Sequence, residues 1–579
     1  MSEYIYDPLA DYVNVFKDKF KAVCESTFAQ LAAESDVDAE NNRRICAHIE
    51  ETEREIARLK KELSLWVIPR AILWILFAAG ILLAIYCFLN YQVNGGIAVA
   101  IASLLLLWFI LGLVYPKLRD LKEELDKKTA LRTDLYTTAW EGMEPLNRLY
   151  DWGIFTRMMM QTVPTLEFDP FFTTQRLADL KEVYGWDEAF NAERSVLFSH
   201  SGVINGNPFV ICRTKKMEWG YREYTGQLTI NWTETIRNSN GKYHSRLRSE
   251  TLTATITRPY PEYHKKTRLI YGNTAAPDLT FNRTQNDAKS KSRMGRWLKK
   301  NSLKRKSRNF RDYDYAMMSN EDFEVAFDTS NRNNNQQFAL LFTPMAQNNM
   351  MSLLNDSEEG YGDNFDFEKS HMINVLIADH MQDLNIDMNP TQYRNYNFDC
   401  ASEAFVRINT EYFRSLYFAF APLLAVPLYQ QLRPQESIYG HDMKRESSYW
   451  EHETLANFWG VEKFKHPDCV TDCILKTEKL TSDSEDESEA TIRVKAHGFS
   501  AVPRTYYVKV LGKDGCYHQV PVHWNEYLPV TGVGTFDIKE DIHDATQETS
   551  QTTRIDRIHS LLQETGHSLY RRNITSRCN

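Results

Sequence analysis

The densest group of chemically active side chains in this chain is a basic segment, Lys289–Arg311. It carries eleven Lys and Arg residues and no Asp or Glu, with Trp297 and Leu298 among them. Such a run attracts the phosphates of lipid headgroups or of nucleic acid, on whose bases Trp297 would stack. The residues expected to bind a polyanion are Lys299, Lys300, Lys304, Arg305, Lys306 and Trp297. A solvated loop is the alternative, and it ranks slightly ahead of either ligand.

One group of His and Cys residues has a spacing that suits a metal ion. Its members are His466, Cys469, Cys473, Cys516, His518 and His523. Cys469 and Cys473 match half of a zinc site, in which thiolates stand two to four residues apart in two such pairs. The second half holds a single cysteine. Ordinary half-buried cysteines are therefore the preferred interpretation, and we predict no metal and no cofactor.

Acid–base chemistry has two candidate pairs, His441–Asp442 and His452–Glu453. Nothing in the sequence places either pair in a pocket, and a His beside a carboxylate is common on protein surfaces. The sequence contains no Walker loop, dinucleotide-binding glycine pattern, nucleophile elbow or kinase signature. We therefore predict no catalytic residue and favour a protein that is not an enzyme. A membrane-tethered enzyme whose site is assembled from dispersed residues is the alternative.

Two apolar segments indicate the cellular location of these residues. Ala71–Leu89 and Ile97–Tyr115 are each 19 residues long and lack Asp, Glu, Lys, Arg and His, and a helix of that length crosses the hydrocarbon layer. The connecting residues 90–96 carry no charge, whereas basic residues flank the pair on the outside, at Lys60, Lys61, Arg70, Lys117, Arg119 and Lys122. Basic flanks stay in the cytoplasm. We expect a multi-pass protein of the cell inner (plasma) membrane with both termini cytoplasmic.

The apolar segments continue outward as amphipathic helices. The first stripe has coiled-coil spacing, at Ile45, Ile49, Thr52, Ile56, Leu59 and Leu63. The second is looser, at Leu118, Leu121, Leu125, Leu131 and Leu135. Because the hairpin forces the two helices to run side by side, an antiparallel stalk within one chain is the economical interpretation. A homodimeric zipper is the alternative.

The rest of the chain alternates between helical and strand-like patterns. Residues 140–192, Pro344–Leu354 and a weak segment at 555–562 are expected to be helical, and Leu416–Leu428 is too short to span and is expected to be buried or to touch the membrane. Short runs rich in β-branched and aromatic residues predict strands. These runs are Val196–Phe198, Phe209–Arg213, Gln227–Glu234, Thr251–Thr257, Arg268–Tyr271, Phe323–Asp328, Gln337–Thr343, Ile373–Ala378, Ile492–Ala496, Tyr506–Leu511 and Tyr517–Val522.

Together these patterns predict an α+β fold: a two-helix transmembrane hairpin with coiled-coil-like helical extensions and a large cytoplasmic α+β domain. The predicted parts are N-terminal helices with the first stalk helix (1–64), the hairpin (65–115), the second stalk helix (116–139), the α+β domain (140–476), an acidic linker (477–490) and a small β-rich region with a polar tail (491–579).

Two neighbouring segments carry a family resemblance. Asn320–Asp328 reads NEDFEVAFD, and Gln337–Met345 reads QFALLFTPM. They resemble bacterial membrane proteins of the domain-of-unknown-function family numbered 3137, in which an FE..F.V strand precedes a strand ending in LTP and a helix beginning with Met. The layout of a polar start, two close spans and an α+β domain is also similar. This chain has Phe342 where the family more often has Leu, and the resemblance implies no activity and no catalytic residue.

The overall composition is consistent with an anchored cytoplasmic protein. The nine cysteines are scattered and odd in number, as in a reducing compartment, and spans without ionisable groups are typical of anchors rather than transporters. We therefore predict a membrane-anchored cytoplasmic interaction or scaffold protein. Its expected partners are the lipid bilayer, anionic lipid headgroups and a cytoplasmic protein, with a second copy if the stalk is a zipper. A lipid- or nucleic-acid-binding adaptor that uses the basic segment is a further alternative.

Overall fold

The computed structural model describes residues 5–90, 93–237, 243–285, 301–303, 305, 317–329, 331–384, 387–431, 446–480, 489–541 and 550–578. The helices of this part are α1 (Pro8–Asp11), α2 (Lys17–Ser35), α3 (Ala39–Leu89), α4 (Val93–Phe109), α5 (Tyr115–Arg148), α6 (Ile154–Thr162), α7 (Thr174–Glu182), α8 (Glu321–Phe327), α9 (Asn335–Leu341), α10 (Pro344–Asn355), α11 (Phe398–Leu424), α12 (Pro427–Gln431), α13 (Tyr449–Trp459) and α14 (Gln551–Thr565).

The strands form two antiparallel sheets. They are β1 (Leu166–Phe168), β2 (Arg194–Ile204), β3 (Asn207–Arg237), β4 (Tyr243–Gly272), β5 (Thr280–Arg283), β6 (Phe365–Ser370), β7 (Ile373–Ala378), β8 (Ile474–Lys479), β9 (Glu489–Leu511), β10 (Tyr517–Glu540), β11 (Leu569–Arg571) and β12 (Ile574–Cys578). The first sheet has the order β1-β2-β3-β4-β7-β6-β5, and the second has the order β11-β12-β10-β9-β8. The predicted α+β class is confirmed.

Two helices are long and apolar enough to cross a membrane, one within α3 and one that runs from α4 into α5. Of their most apolar windows, 6% and 11% of the residues are buried in the protein, whereas a core helix of a soluble protein would be mostly buried. The two helices approach closely at Gly80, where a Cβ would collide with the hydroxyl of Ser103. Small residues allow such close packing between membrane helices.

The polar extensions of these helices pack together within one chain. Ile56 and Leu59 of α3 and Leu118 and Leu121 of α5 are buried. Ion pairs bridge the same two helices: Lys128 Nζ lies 2.5 Å from Glu55 Oε2, and Lys117 Nζ lies 3.7 Å from Glu62 Oε1. The later residue of α3, Glu62, pairs with the earlier residue of α5, so the two helices run antiparallel.

The first sheet is covered on both faces near its centre. Along β3, Phe209 and Ile211 face the core that includes α11, whereas Val210 and Cys212 face the cluster that includes α7 and α13. This alternation is the period of two that a strand imposes on its side chains. The segment predicted to be buried, Leu416–Leu428, lies mostly in α11 and is buried in this core.

Two strand predictions were wrong, because Phe323–Asp328 and Gln337–Thr343 lie largely in helices α8 and α9. Asn side chains cap both helices: Asn320 Oδ1 accepts from the N–H of Phe323 at 3.1 Å, and Asn334 Oδ1 accepts from the N–H of Gln337 at 3.0 Å. Phe323 and Phe327 stand four positions apart and stack, as a helix requires.

The predicted short strands of residues 209–271 and 492–522 belong to much longer ones. β3 has 31 residues, β4 has 30, β9 has 23 and β10 has 24. Proline residues such as Pro259 and Pro521 stand inside these strands. A strand in a hairpin has one open edge, where a proline without an N–H is tolerated, so proline does not end the strand here.

Candidate interaction arm

The hairpin of β3 and β4 extends far beyond the sheet that carries it. The pairing of β2 with β3 ends at Lys216, and the pairing of β7 with β4 begins at Leu269. From Met217 to Arg237, β3 pairs with β4 in an unbroken register. At about 3.4 Å per residue, this two-stranded part is about 70 Å long.

The hairpin of β9 and β10 covers one face of this projection. Leu252 and Ala254 of β4 are buried against Val520 and Val522 of β10. Strands β3 and β10 meet so closely at Gly226 of β3 that a Cβ there would collide with the carbonyl oxygen of Pro521 in β10. We call this two-layered projection, formed by residues 217–237, 243–266, 498–511 and 517–530, the arm.

The outer face of the first hairpin is lined with hydroxyl groups. Every second residue of β4 from Thr251 to Thr257 is an exposed threonine. Hydroxyls pair across the strands, with 3.2 Å between the Oγ1 atoms of Thr225 and Thr255 and 3.1 Å between those of Thr229 and Thr251. The threonines of this face present a regular array of methyl and hydroxyl groups, and the array is uncharged.

The outer face of the second hairpin carries large exposed side chains. Tyr507 is 58% exposed, Leu511 is 56% exposed and Tyr517 is 71% exposed. Leu511 and Tyr517 are direct cross-strand partners, and Tyr507 pairs with Pro521. A cluster of exposed large side chains on one face is typical of a protein-binding surface, where tyrosine is enriched.

Interactions along the arm hold its side chains in place. The guanidinium of Arg222 lies 3.8 Å from the ring centroid of Tyr260, and that of Arg258 lies 4.8 Å from the ring centroid of Trp524. Arg504 Nε lies 2.8 Å from Glu526 Oε2. Charged and proline residues along open strands hinder uncontrolled edge pairing, so the broad outer faces are the more suitable contact surfaces.

The basic segment predicted from the sequence falls mostly outside the described residues. This applies to Lys299, Lys300, Lys304, Lys306 and Trp297. Arg305 is described and its side chain is exposed. Leu303, two residues earlier, is buried beside Val325 of α8. The basic segment therefore contacts the body at Leu303, within the segment, and its role in binding stays a prediction.

The six candidate metal ligands are not brought together. Cys469 and Cys473 lie side by side, whereas Cys516 is exposed at the turn between β9 and β10. His518 Nε2 lies 2.8 Å from Asp514 Oδ2. Within the described ranges, no group of three or more His, Cys, Asp and Glu side chains is arranged to hold a metal ion.

The candidate pair His452–Glu453 is buried in α13, and its two side chains have different partners. His452 Nε2 lies 3.0 Å from Ser447 Oγ, whereas Glu453 Oε1 lies 2.5 Å from Lys476 Nζ. Burial lowers the pKa of His452 to about 3 and raises the pKa of Glu453 to about 7. The two groups therefore do not form an acid–base pair. The other candidate pair, His441–Asp442, lies outside the described residues.

A buried ionic cluster near the C-terminus was not predicted. Arg571 and Arg572, in and beside β11, reach Glu451 of α13, and Arg571 also pairs with Asp387. These side chains come from distant parts of the chain, so spacing in the sequence carries no signal for them. Because the charges satisfy one another, the cluster fastens the C-terminal strands to α13.

A cleft of about 280 Å³ lies between α2, α6 and α14. Its wall includes Arg157 and Arg554, which both pair with Asp151. Burial alone would raise the pKa of Asp151, but the two guanidinium charges lower it to about 2. The carboxylate stays ionised and engaged by both arginines, which makes it unsuitable as a general acid or base at neutral pH.

Comparisons with known proteins add no relative to these observations: no family model, no curated protein and no solved structure matches this chain. The resemblance to the family numbered 3137 therefore stays a prediction.

Proposed function

We propose that this chain is a membrane-anchored cytoplasmic interaction or scaffold protein that presents the arm to a protein partner. The observation that carries the proposal is the arm itself, which projects about 70 Å and keeps both of its outer faces exposed. A hairpin of this length contributes little to the core of the body. Its exposed side chains Tyr507, Leu511 and Tyr517 are more favourable in contact with a protein than in contact with water.

The proposed anchor is the pair of apolar helices, with the body on the cytoplasmic side. Support comes from the basic flanks, represented by Arg70 and Lys117, and from the uncharged connection between the helices. The antiparallel contacts between α3 and α5 support a stalk formed within one chain. Such a stalk holds the body at a distance from the bilayer and leaves the arm free to reach a partner.

An enzyme is the less supported alternative. The cleft between α2, α6 and α14 is lined by Arg157 and Arg554, and both arginines pair with the carboxylate of Asp151. His452 and Glu453 are buried and directed to other partners. These groups contribute to stability and offer no free acid or base beside a binding space.

The experiment is affinity purification from membranes with the intact protein and with two arm variants. The first variant replaces Tyr507, Leu511 and Tyr517 by Ser, and the matched control replaces the exposed Thr253, Thr255 and Thr257 by Ser. If these three side chains bind the partner, co-purifying proteins should be lost from the first variant and retained by the control. An identical set of proteins with all three forms would overturn the proposal.

A further inference from the structure

Two cysteines lie together at the base of the arm. The Sγ atoms of Cys469 and Cys473 are 3.5 Å apart, and both side chains are buried and free. A disulfide requires about 2.05 Å between its sulfur atoms. Each sulfur would therefore move by less than about 1 Å to form the bond.

The opposing strand leaves room for the two sulfur atoms. Gly498 of β9 faces them, and a Cβ at this position would lie 2.5 Å from Sγ of Cys469 and 2.7 Å from Sγ of Cys473. Any other residue would have to displace one or both sulfur atoms. Glycine at position 498 thus keeps the two thiols in contact.

The loop that holds the thiols connects both hairpins of the arm. Thr471 Oγ1 accepts from the N–H of Phe499 in β9 at 3.0 Å and lies 3.2 Å from the hydroxyl of Tyr263 in β4. The neighbouring Asp472 accepts from Lys215 Nζ in β3 at 2.7 Å. The residues between the two cysteines therefore form a joint that bonds to both hairpins.

We propose that Cys469 and Cys473 form a thiol–disulfide site that hydrogen peroxide oxidises to an intramolecular disulfide. In the first step the sulfur of Cys469 takes one peroxide oxygen and becomes a sulfenic acid, and the other oxygen leaves as water with the thiol proton. In the second step the sulfur of Cys473 displaces the hydroxyl group. That group leaves as a second water with the Cys473 proton, and the S–S bond forms.

The surroundings determine which sulfur reacts first. Cys473 is fully buried, and burial raises the pKa of its thiol to about 12. Cys469 keeps 5% of its surface exposed, beside the exposed Val470. Cys469 is therefore the thiol that meets the peroxide, and Cys473 is the resolving thiol.

Oxidation should tighten the joint of the arm. The new bond closes the short loop 469–473 and restricts Thr471 and Asp472, which bond to the two hairpins. This consequence is independent of the proposed function, since it concerns the contact between the hairpins and not the partner that the arm binds.

The test uses the full-length protein in detergent with graded hydrogen peroxide, followed by alkylation with N-ethylmaleimide and mass spectrometry of non-reduced peptides. The expected main product is a peptide that joins Cys469 to Cys473 and that dithiothreitol separates. Free Cys469 and Cys473 at a peroxide dose that oxidises the exposed Cys400 and Cys516 would overturn the proposal. Bonds of these two cysteines to another chain would also overturn it.

Single variants separate the two steps. In Cys473→Ser, dimedone should trap a sulfenic acid at Cys469. In Cys469→Ser, trapping at Cys473 should be slower by about tenfold or more, because the buried thiol is rarely ionised. Equal trapping in both variants would contradict the assigned order. Gly498→Ala retains both thiols and should lower the disulfide yield, and an unchanged yield in folded protein would contradict the role of Gly498.

Discussion

Gly226 of β3 lies directly against the carbonyl oxygen of Pro521 in β10, with no room between them for a Cβ. This contact is a close approach of the two hairpins, which buried residues such as Leu252 and Val522 hold together. The arm is therefore a two-layered unit whose spacing depends on a glycine in the middle of a strand, where glycine is otherwise unfavourable.

Gly226→Ala should separate the two layers of the arm. Overpacking of this kind costs about 1–3 kcal/mol, and amide hydrogen exchange should quicken around Val520 and Val522. The matched control is Gly220→Ala in the same strand, where the Cβ would meet only the flexible side chain of Glu262. Equal exchange in the two variants would contradict the close contact at Gly226.

Ile56→Asp should weaken the stalk, because Ile56 is buried and the new carboxylate would place a charge at a buried position. An unpaired buried charge costs roughly 3–5 kcal/mol, measurable as a lower unfolding temperature. Arg54→Asp on the exposed side of α3 is the control.

The alternative of a homodimeric zipper is tested by crosslinking. Glu55→Cys combined with Lys128→Cys should give crosslinks within one chain, because the native side chains at these positions lie 2.5 Å apart. Crosslinked dimers without intrachain product would show that the stalk is intermolecular.

The proposed topology predicts opposite labelling of two positions. Asn94→Cys, in the first turn of α4 and next to the short connection between the apolar helices, should react with a membrane-impermeant maleimide in sealed cells. Cys400, exposed on the body, should react only after permeabilisation. Labelling of Cys400 in sealed cells would place the body outside.

Glu453 should make stability depend on pH. Burial raises its pKa from 4.5 to about 7, so between these values the folded protein binds more protons than the unfolded chain, and the free energy of unfolding falls as pH rises. In Glu453→Gln this pH-dependent contribution is absent. As the pH rises from 5 to about 8, the free energy of unfolding of the native protein should therefore fall relative to that of the variant. Denaturant titrations with parallel pH profiles for both proteins would contradict the shift.

The basic segment 289–311 should be protected by anionic lipid. In nanodiscs with anionic headgroups, tryptic cleavage within this segment should be slower than in neutral nanodiscs. Salt should remove the difference, because the attraction falls within about 8 Å at physiological ionic strength. Replacing Lys299, Lys300, Lys304, Arg305 and Lys306 by Gln should abolish most of the effect on other cleavage sites of the segment. Protection by an oligonucleotide instead would assign the segment to nucleic acid.

The apolar helices and the antiparallel packing of their extensions could be predicted because both follow from local periodicity. The 19 apolar residues of Ala71–Leu89 and the regular spacing of Ile49, Ile56 and Leu59 are features of single helices, and these features depend little on the rest of the chain. A short connection then requires the two helices to run side by side.

The long hairpins and the side-chain clusters were decided by tertiary structure. Pro259 and Pro521 each lie in a strand that has an open edge, so the pairing continues through them. Cys469 comes to face Gly498, and Arg571 comes to meet Glu451, because tertiary packing unites residues that are far apart in sequence. Local patterns determine which segments are helical or extended, whereas such contacts depend on register and packing, which only the folded chain specifies.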